Sequence, residues 1–306
     1  MSDQTASLLA ELESAVRASH PDRASKVALD ALHAAVPPTE VVRTAARAFA
    51  SHFDGAGGAP RALGVLASAL NLLPVMQPPF HPIPIVQSVS FVASEKKADR
   101  PTKSSAVVSG EVTHLGRSFL FAVRAGDRAE AESIFVGMLP EGRERKMAGD
   151  MLFRAAMEDM GEGGRKLMIA VKSWQLARSL GFKEARMLLR PAIQYLVSGP
   201  RDPKPFETIL AALGKEWVDL EALASGGRPL DEVVRGRVHG ITAAPDPSTA
   251  IATTLSLLRD GYAAVSIAEG LAAEAARRVV GAPGYDLDAA RALMFAHAAR
   301  FVLSFS

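Results

Sequence analysis

The chain contains no cysteine. That absence removes disulfides, thiolate metal sites, cysteine-ligated iron–sulfur clusters and cysteine nucleophiles together. Aromatic residues are scarce at 6%, so there are few of the large side chains that make a strong protein-binding hot spot. An excess of one charge is lacking too. Lys and Arg number 35 against 33 Asp and Glu, and a net charge of +2 gives no footprint for nucleic acid. No apolar run approaches the roughly 18 residues that a membrane span needs. The stretch MSDQTASLLAELESAV begins polar and acidic, with no basic and then apolar signal region, so cytoplasmic residence is the expectation.

What remains is a globular composition. Hydrophobic residues reach 48% against 22% charged, and 306 residues suffice for one large domain or two ordinary ones. Abundant Ala and Leu favour closely packed helices. Ala24, Val27, Ala28, Ala31, Leu32 and Ala35 recur at three- and four-residue spacing, which is one helical face. Pro37 and Pro38 stop that helix, and Thr39-Glu40 opens another carrying Val42, Ala45, Ala46, Phe49 and Phe53. Gly55, Gly57 and Gly58 then predict a turn between helices, with Leu63, Leu66 and Leu70 marking the next face.

The same order returns. Asp22-Arg23-Ala24 reappears as Asp127-Arg128-Ala129, an offset of 105, and Gly58, Arg61 and Ser68 match Gly163, Lys166 and Ser173 at the same offset. Pro84-x-Val86-Gln87 reappears as Pro191-x-Ile193-Gln194 at 107. The expected fold is all-α: tandemly duplicated helical units forming a compact multi-helix bundle or a short solenoid. The first unit covers residues 1–95, the second 112–200, and residues 201–306 form a C-terminal helical region in which a degraded third copy is one reading. Residues 94–111, rich in Ser and Lys, predict a long surface loop, and residues 225–249 a second connection around a short helix. Ile83–Val92 has some strand character, but its duplicate at 184–198 has a clean helical face, so both are read as helix. Pro191 inside that face either kinks the helix or marks its start, and a kink at residues 187–191 is the expectation.

No nucleophile elbow, zinc-protease motif, phosphate loop or dinucleotide fingerprint is present. Of seven histidines, His81, His114, His239 and His297 fall at helix starts or on apolar faces, where facing helices of a bundle can assemble a metal site. None forms a local metal-binding pair. Separate capping or core histidines are the plainer reading. A His-ligated metal is thus the cofactor that these residues allow. Glu158, Asp159 and Glu162, with Asp150 two turns earlier, cluster near Arg154 and Arg165, and read first as a solvated charged face. Seven of the ten methionines lie between Met138 and Met187. Methionine fills irregular gaps or lines adaptable pockets. Met151, Met168 and Trp174 are therefore the candidate lining of an apolar small-molecule pocket in the second unit.

The stretch Gly163–Asp202 resembles an all-helical bacterial domain associated with Rieske-type iron–sulfur proteins. The likeness rests on a glycine-led helix, Trp174-x-Leu176, Gly181-aromatic-x-Glu184 and the Arg201-Asp202 ending, with HGITAA at 239 and MFAHAARFVL at 294. It covers about a third of the chain. Arg165 stands where that domain often has histidine, and iron–sulfur ligation by cysteine is impossible here. The resemblance implies the helical domain without its electron-transfer partner, in an oxidative or small-molecule-processing setting. Two functional expectations follow. One is a small-molecule-handling protein, such as an oxidative or other tailoring enzyme of secondary metabolism. The other is a non-catalytic helical-repeat scaffold, whose partner is another protein or a second copy of the chain.

Overall fold

The computed structural model describes residues 3–53, 55, 58–103, 105–139, 143–215, 218–224 and 226–305. These residues are almost entirely helical, with one isolated bridge between Arg228 and Tyr262 and no strand among them. No helix among them is long and apolar enough to cross a membrane. The chain divides into two compact bodies: Met1–Ala155 with Ile169–Gly199, and Ala156–Met168 with Pro200–Ser306. The expected first and second units thus share most of one body, while the C-terminal region forms the other together with a short excursion of the second unit.

In the N-terminal body, α1 (Asp3–Arg17), α2 (Pro21–His33), α3 (Pro38–Ala50), α4 (Arg61–Leu72) and α5 (Pro82–Ser94) pack with α2 against α1 and α5, and α3 against α1. Helix α2 starts on Pro21, whose missing N–H is no loss at a first turn. It buries Ala24, Val27, Ala28 and Ala31, as the periodicity predicts. The Ile83–Val92 stretch is helical within α5, and Pro84 sits in its first turn. Gly55 and Gly58 both have positive φ, as the expected turn requires; Gly57 lies outside the described residues.

The later helices of this body are α6 (Val112–Ala125), α7 (Arg128–Gly137), most of α8 (Arg143–Met157), the C-terminal part of α9 (Gly161–Ser179) and α10 (Ala185–Ser198). Glu111 caps α6 by accepting from the amides of Thr113 and His114, and Asp127 caps α7 by accepting from Glu130 N at 3.0 Å. Each such cap contributes about 1 kcal/mol. Pro191 lies inside α10, six residues beyond its start, so it does not mark that start. The core here is aromatic at its centre. Trp174 is buried between the rings of Phe153 and Phe182, with centroids 5.8 and 5.3 Å away in edge-to-face geometry.

Residues 95–103 and 105–111 are held to the body as a strap rather than lying as a free surface loop. Ala98 N donates to His52 O, Thr102 N to Ser51 O and the Thr102 hydroxyl to Phe53 O, at 2.7–2.8 Å. Val108 N donates to Ser133 O on α7. At Gly137 a Cβ would stand 1.9 Å from Val108 O, so only glycine lets the strap pass.

The C-terminal body holds α11 (Lys204–Lys215), α12 (Leu220–Ala224), α13 (Arg235–Thr242), α14 (Pro247–Arg259), α15 (Ala264–Gly281) and α16 (Leu287–Phe305). Helices α15 and α16 pack along each other, and Val238, Leu257, Tyr262 and Ile267 form a small core beneath α13 and α14. The Tyr262 hydroxyl donates to Asp231 and accepts from Arg228, whose guanidinium lies 4.3 Å from the tyrosine ring centroid. Glu162, Gly163 and Gly164, in the excursion, have φ of 53, 70 and 75°, a left-handed turn inside α9. A Cβ on Gly164 would lie 2.4 Å from Phe295 of α16.

Candidate functional site

The richest arrangement in the N-terminal body lies where α3 ends. Its last turn runs through Ala50 into Ser51 and His52, leaving carbonyls without helical partners. Arg190, reaching from the middle of α10, meets them. Its Nη2 donates to Ala50 O at 2.7 Å and its Nη1 to Thr102 O at 3.1 Å, so one guanidinium ties the end of α3 to the strap. Arg190 is 4% exposed. Burial lowers its pKa, and the charge of Glu132 works against that shift. Glu132 is also buried and accepts from Gln194 Nε2 at 3.3 Å, one turn along α10. A buried cation needs such a partner, because an unpaired charge in the interior costs several kcal/mol, of order.

Two cavities open beside this cluster. The inner one, of about 270 Å³, is lined by Ser51, Thr102, Glu132, Val136, Met187 and Arg190, among others. The outer one, of about 500 Å³, shares Ser51, Arg186 and Met187 with it. Its other walls include Arg17, Arg47, Phe182 and Lys183. Glu13 and Glu184 belong to the outer wall but are engaged: Glu13 accepts from Arg17 and from Arg47 at 3.0 Å, and Glu184 lies 3.8 Å from Arg43 and 3.7 Å from Arg47. Lys183 and Arg186 have no ion pair among the described residues. The outer cavity therefore presents cations to an incoming ligand, and Leu139, Phe182 and Met187 supply its apolar surface. Phe182 holds a positive φ of 57°, unusual for a bulky side chain, and its ring touches the cavity and Trp174 alike.

A larger cavity of about 810 Å³ adjoins through Glu13 and Arg17 and is lined by His52, Lys97 and Asp99 among others. His52 is 7% exposed; its Nδ1 lies 3.2 Å from Ala48 O and 2.9 Å from the Ser51 hydroxyl. Burial pushes the Lys97 amine down to about 8, against the raising effect of Glu95. The C-terminal body has a cavity of its own, about 440 Å³, lined by Leu230, Arg235, Ser266, Glu269, Glu274 and others.

The residues expected from the sequence fall as follows. Met151 lies over Gly116, where a Cβ would meet its side chain at 3.1 Å. Met168 and Trp174 are buried at 5% and 2% exposure. None of the three lines the cavities above, although Trp174 reaches the outer one through Phe182. His81 precedes α5 with Nε2 3.1 Å from Met76 O, and His114 is exposed in the first turn of α6. In the C-terminal body, exposed His239 pairs its Nδ1 with Glu274 at 2.8 Å, while His297 is half-buried in α16. Among the described residues no group of three or more His, Cys, Asp or Glu is placed to hold a metal ion.

Of the carboxylates read as a solvated face, Asp159 is buried. It accepts from Lys166 Nζ at 2.7 Å and from the amides of Gly161 and Asp202. Burial opposes its ionisation, but these three donors and the charge of Lys166 outweigh it and hold Asp159 below the usual carboxylate range.

Sequence reasoning passed over Ser51, Arg190, Glu132 and Lys97. One signal was present: Arg190 and Gln194 stand four apart in a helix where Leu189, Ala192, Ile193 and Leu196 beside them are apolar, and buried polar residues at that spacing imply an internal network. No known protein family, curated protein or solved structure matches this chain.

Proposed function

We propose that this is a small-molecule-handling helical protein whose ligand has an acidic group and an apolar body. Its place is the pair of cavities that meet at Ser51, Arg186 and Met187. The observation that carries this reading is the union of a cation-rich outer cavity with an inner chamber beside the buried Arg190–Glu132–Gln194 cluster. The acidic group would pair with Arg186 and Lys183, and the apolar portion would lie along Phe182, Leu139 and Met187. This moves the ligand from Met151 and Met168 to the start of α10, where Arg17, Arg47 and Ser51 of the first unit share the walls with residues of the second. Trp174 takes part only as backing for Phe182.

Helix packing supports the tandem duplication as part of the same reading, since α2 packs on α5 as α7 packs on α10. The likeness of Gly163–Asp202 to the Rieske-associated helical domain supports an oxidative or other tailoring role for that ligand. A His-ligated metal at His81, His114, His239 or His297 belongs to this enzyme version, and metal analysis of chelator-free protein tests it.

The test of binding is thermal stabilisation by a panel of aromatic and polyketide-like acids, each matched with its neutral ester. At a hundredfold excess over Kd a true ligand stabilises by about 2.7 kcal/mol. Acids are expected to raise Tm more than esters, and Arg186→Glu on the exposed rim to remove the difference. No response from any compound would overturn the reading. A scaffold role is favoured instead by the exposed apolar stretch Leu72, Val75, Phe80 and Ile83, with Val75 80% exposed. Capture of a second copy through that stretch, seen as concentration-dependent mass, would support it.

A further inference from the structure

The polar side chains around the inner chamber of about 270 Å³ are Ser51, Thr102, Ser105, Glu132, Arg186 and Arg190. Most of their donors are spent on the protein itself. Ser51 Oγ donates to Ala48 O at 3.2 Å, and Thr102 Oγ1 to Phe53 O at 2.7 Å. Arg190 gives Nη2 to Ala50 O and Nη1 to Thr102 O, while its Nε is sealed in the interior. Arg186 stands where the chamber meets the outer cavity. The Ser105 hydroxyl makes no hydrogen bond among the described residues. The wall is therefore poor in donors that face inward.

Glu132 is the opposite, an acceptor in want of donors. It is 5% exposed, and its Oε2 accepts from Gln194 Nε2 at 3.3 Å, a long bond. Its Oε1 receives no hydrogen bond from any described residue, yet it is not sealed as Arg190 Nε is. Since Glu132 lines the chamber, the chamber is where Oε1 meets a donor. A buried carboxylate left short of donors is costly, so the chamber favours a ligand group that brings one. Charge narrows the choice. Glu132 already acts on the Arg190 cation, and Arg186 adds a second cation at the rim. A ligand ammonium would face both cations, and a ligand carboxylate would face Glu132. A neutral hydroxyl meets neither cost, and Val107, Val136 and Met187 give its carbon frame an apolar wall.

We propose that the inner chamber is a hydroxyl-binding subsite, in which Glu132 accepts a hydrogen bond from a neutral hydroxyl at the end of the ligand remote from its acid. The inference rests on the acidic-ligand reading above and gives that ligand a direction. Its acid lies outward at Arg186 and Lys183, and its hydroxyl points inward past Ser51 and Met187, which both cavities share. The ligand class is thus an apolar hydroxy acid with its two polar groups at opposite ends. An ether cannot take the hydroxyl's place, because its oxygen only accepts and would meet the carboxylate with no hydrogen between them. Glu132 acts here in choosing the ligand, and no reaction step is assigned to it.

The experiment is calorimetric titration of the full chain with phenylalkanoates of increasing chain length, each unsubstituted, para-hydroxylated and para-methoxylated. At the best-fitting length the hydroxyl form is expected to bind about tenfold or more tightly than the unsubstituted one, as a hydrogen bond to a charged group allows. The methoxy form is expected to bind no better than the unsubstituted one. Glu132→Gln offers an amide N–H to an ether oxygen, so it is expected to bring the hydroxyl and methoxy forms to similar affinity. Unliganded melts check that this variant folds, and if it does not, the three forms on the wild-type chain decide alone. A hydroxyl form no tighter than the methoxy form on the wild-type chain would overturn the proposal. A hydroxyl gain that survives in folded Glu132→Gln would take the role from Glu132. Unsubstituted acids that bind, and weaken in Arg186→Glu, keep the acidic-ligand reading standing even then, whereas binding by none of the compounds overturns both.

Discussion

Lys166 Nζ donates to Asp159 Oδ2 at 2.7 Å in the C-terminal body, with the lysine side chain 1% exposed and the aspartate 10%. Arg201 lies 3.6 Å from the same oxygen. Each partner is expensive to bury alone, so removing one leaves an uncompensated charge. Asp159→Asn and Lys166→Met are each expected to cost about 3–5 kcal/mol, and the double variant clearly less than the sum. Urea denaturation of the four proteins checks this.

The same pair sets an acid limb. The folded pKa of Asp159 is depressed, so its contribution is fully present above the unfolded value of about 3.9 and fades as pH falls through the folded one. Stability of the wild-type chain is expected to fall more steeply below pH 4 than that of Asp159→Asn. Parallel slopes in denaturant midpoints between pH 5 and pH 2 would contradict it.

The left-handed turn predicts a contrast between adjacent glycines. Gly163 and Gly164 both have positive φ, so alanine is strained at either. At Gly164, though, the new methyl group would also strike the Phe295 ring, while at Gly163 it would meet only Arg291 Cδ at 3.7 Å. Gly164→Ala is expected to lose about 1–3 kcal/mol more than Gly163→Ala. Equal losses in thermal melts would argue against the Phe295 contact.

Arg190 predicts a local effect. Arg190→Met removes the donors to Ala50 O and Thr102 O and leaves Glu132 without its neighbouring cation. Two hydrogen bonds from a charged group are worth about 1.5–3 kcal/mol each. Hydrogen exchange at the Ala98 and Thr102 amides is expected to quicken more than exchange within α2, which Arg190 does not touch.

Phe182 carries opposed effects. Phe182→Ala loses ring contact with Trp174, about 2 kcal/mol for a half-buried ring, and keeps a strained φ. Phe182→Gly loses the same contact but relieves the backbone, and is expected to be about 1 kcal/mol more stable than the alanine variant. With Trp217 replaced by Phe, Trp174 emission should shift to the red in both.

Much of the helical order was legible because it is local. The face of Ala24, Val27, Ala28 and Ala31 and the stop at Pro37-Pro38 both operate within a few residues. The helical nature of 83–92 was recovered by comparison with residues 184–198, whose apolar face has helical spacing. The cavities were not legible, since Ser51 and Arg186 meet only through packing of α3 on α10. Asp159 was read as solvated because its partners, Lys166 and the Asp202 amide, come from outside the acidic cluster. The strap read as a loop because nothing in its polar composition announces bonds to Ser51, His52 and Phe53.

The excursion of Ala156–Met168 into the second body bears on how the chain matures during synthesis. Everything the N-terminal body contains has been made once Gly199 emerges, yet the segment enclosed within it still awaits Pro200–Ser306. A ribosome paused near residue 200 would present a largely assembled body with Lys166 and Asp159 in an orphaned loop, a natural point of attack for proteases and a natural hold for chaperones. Dividing the gene after Gly199 would make that transient exposure permanent.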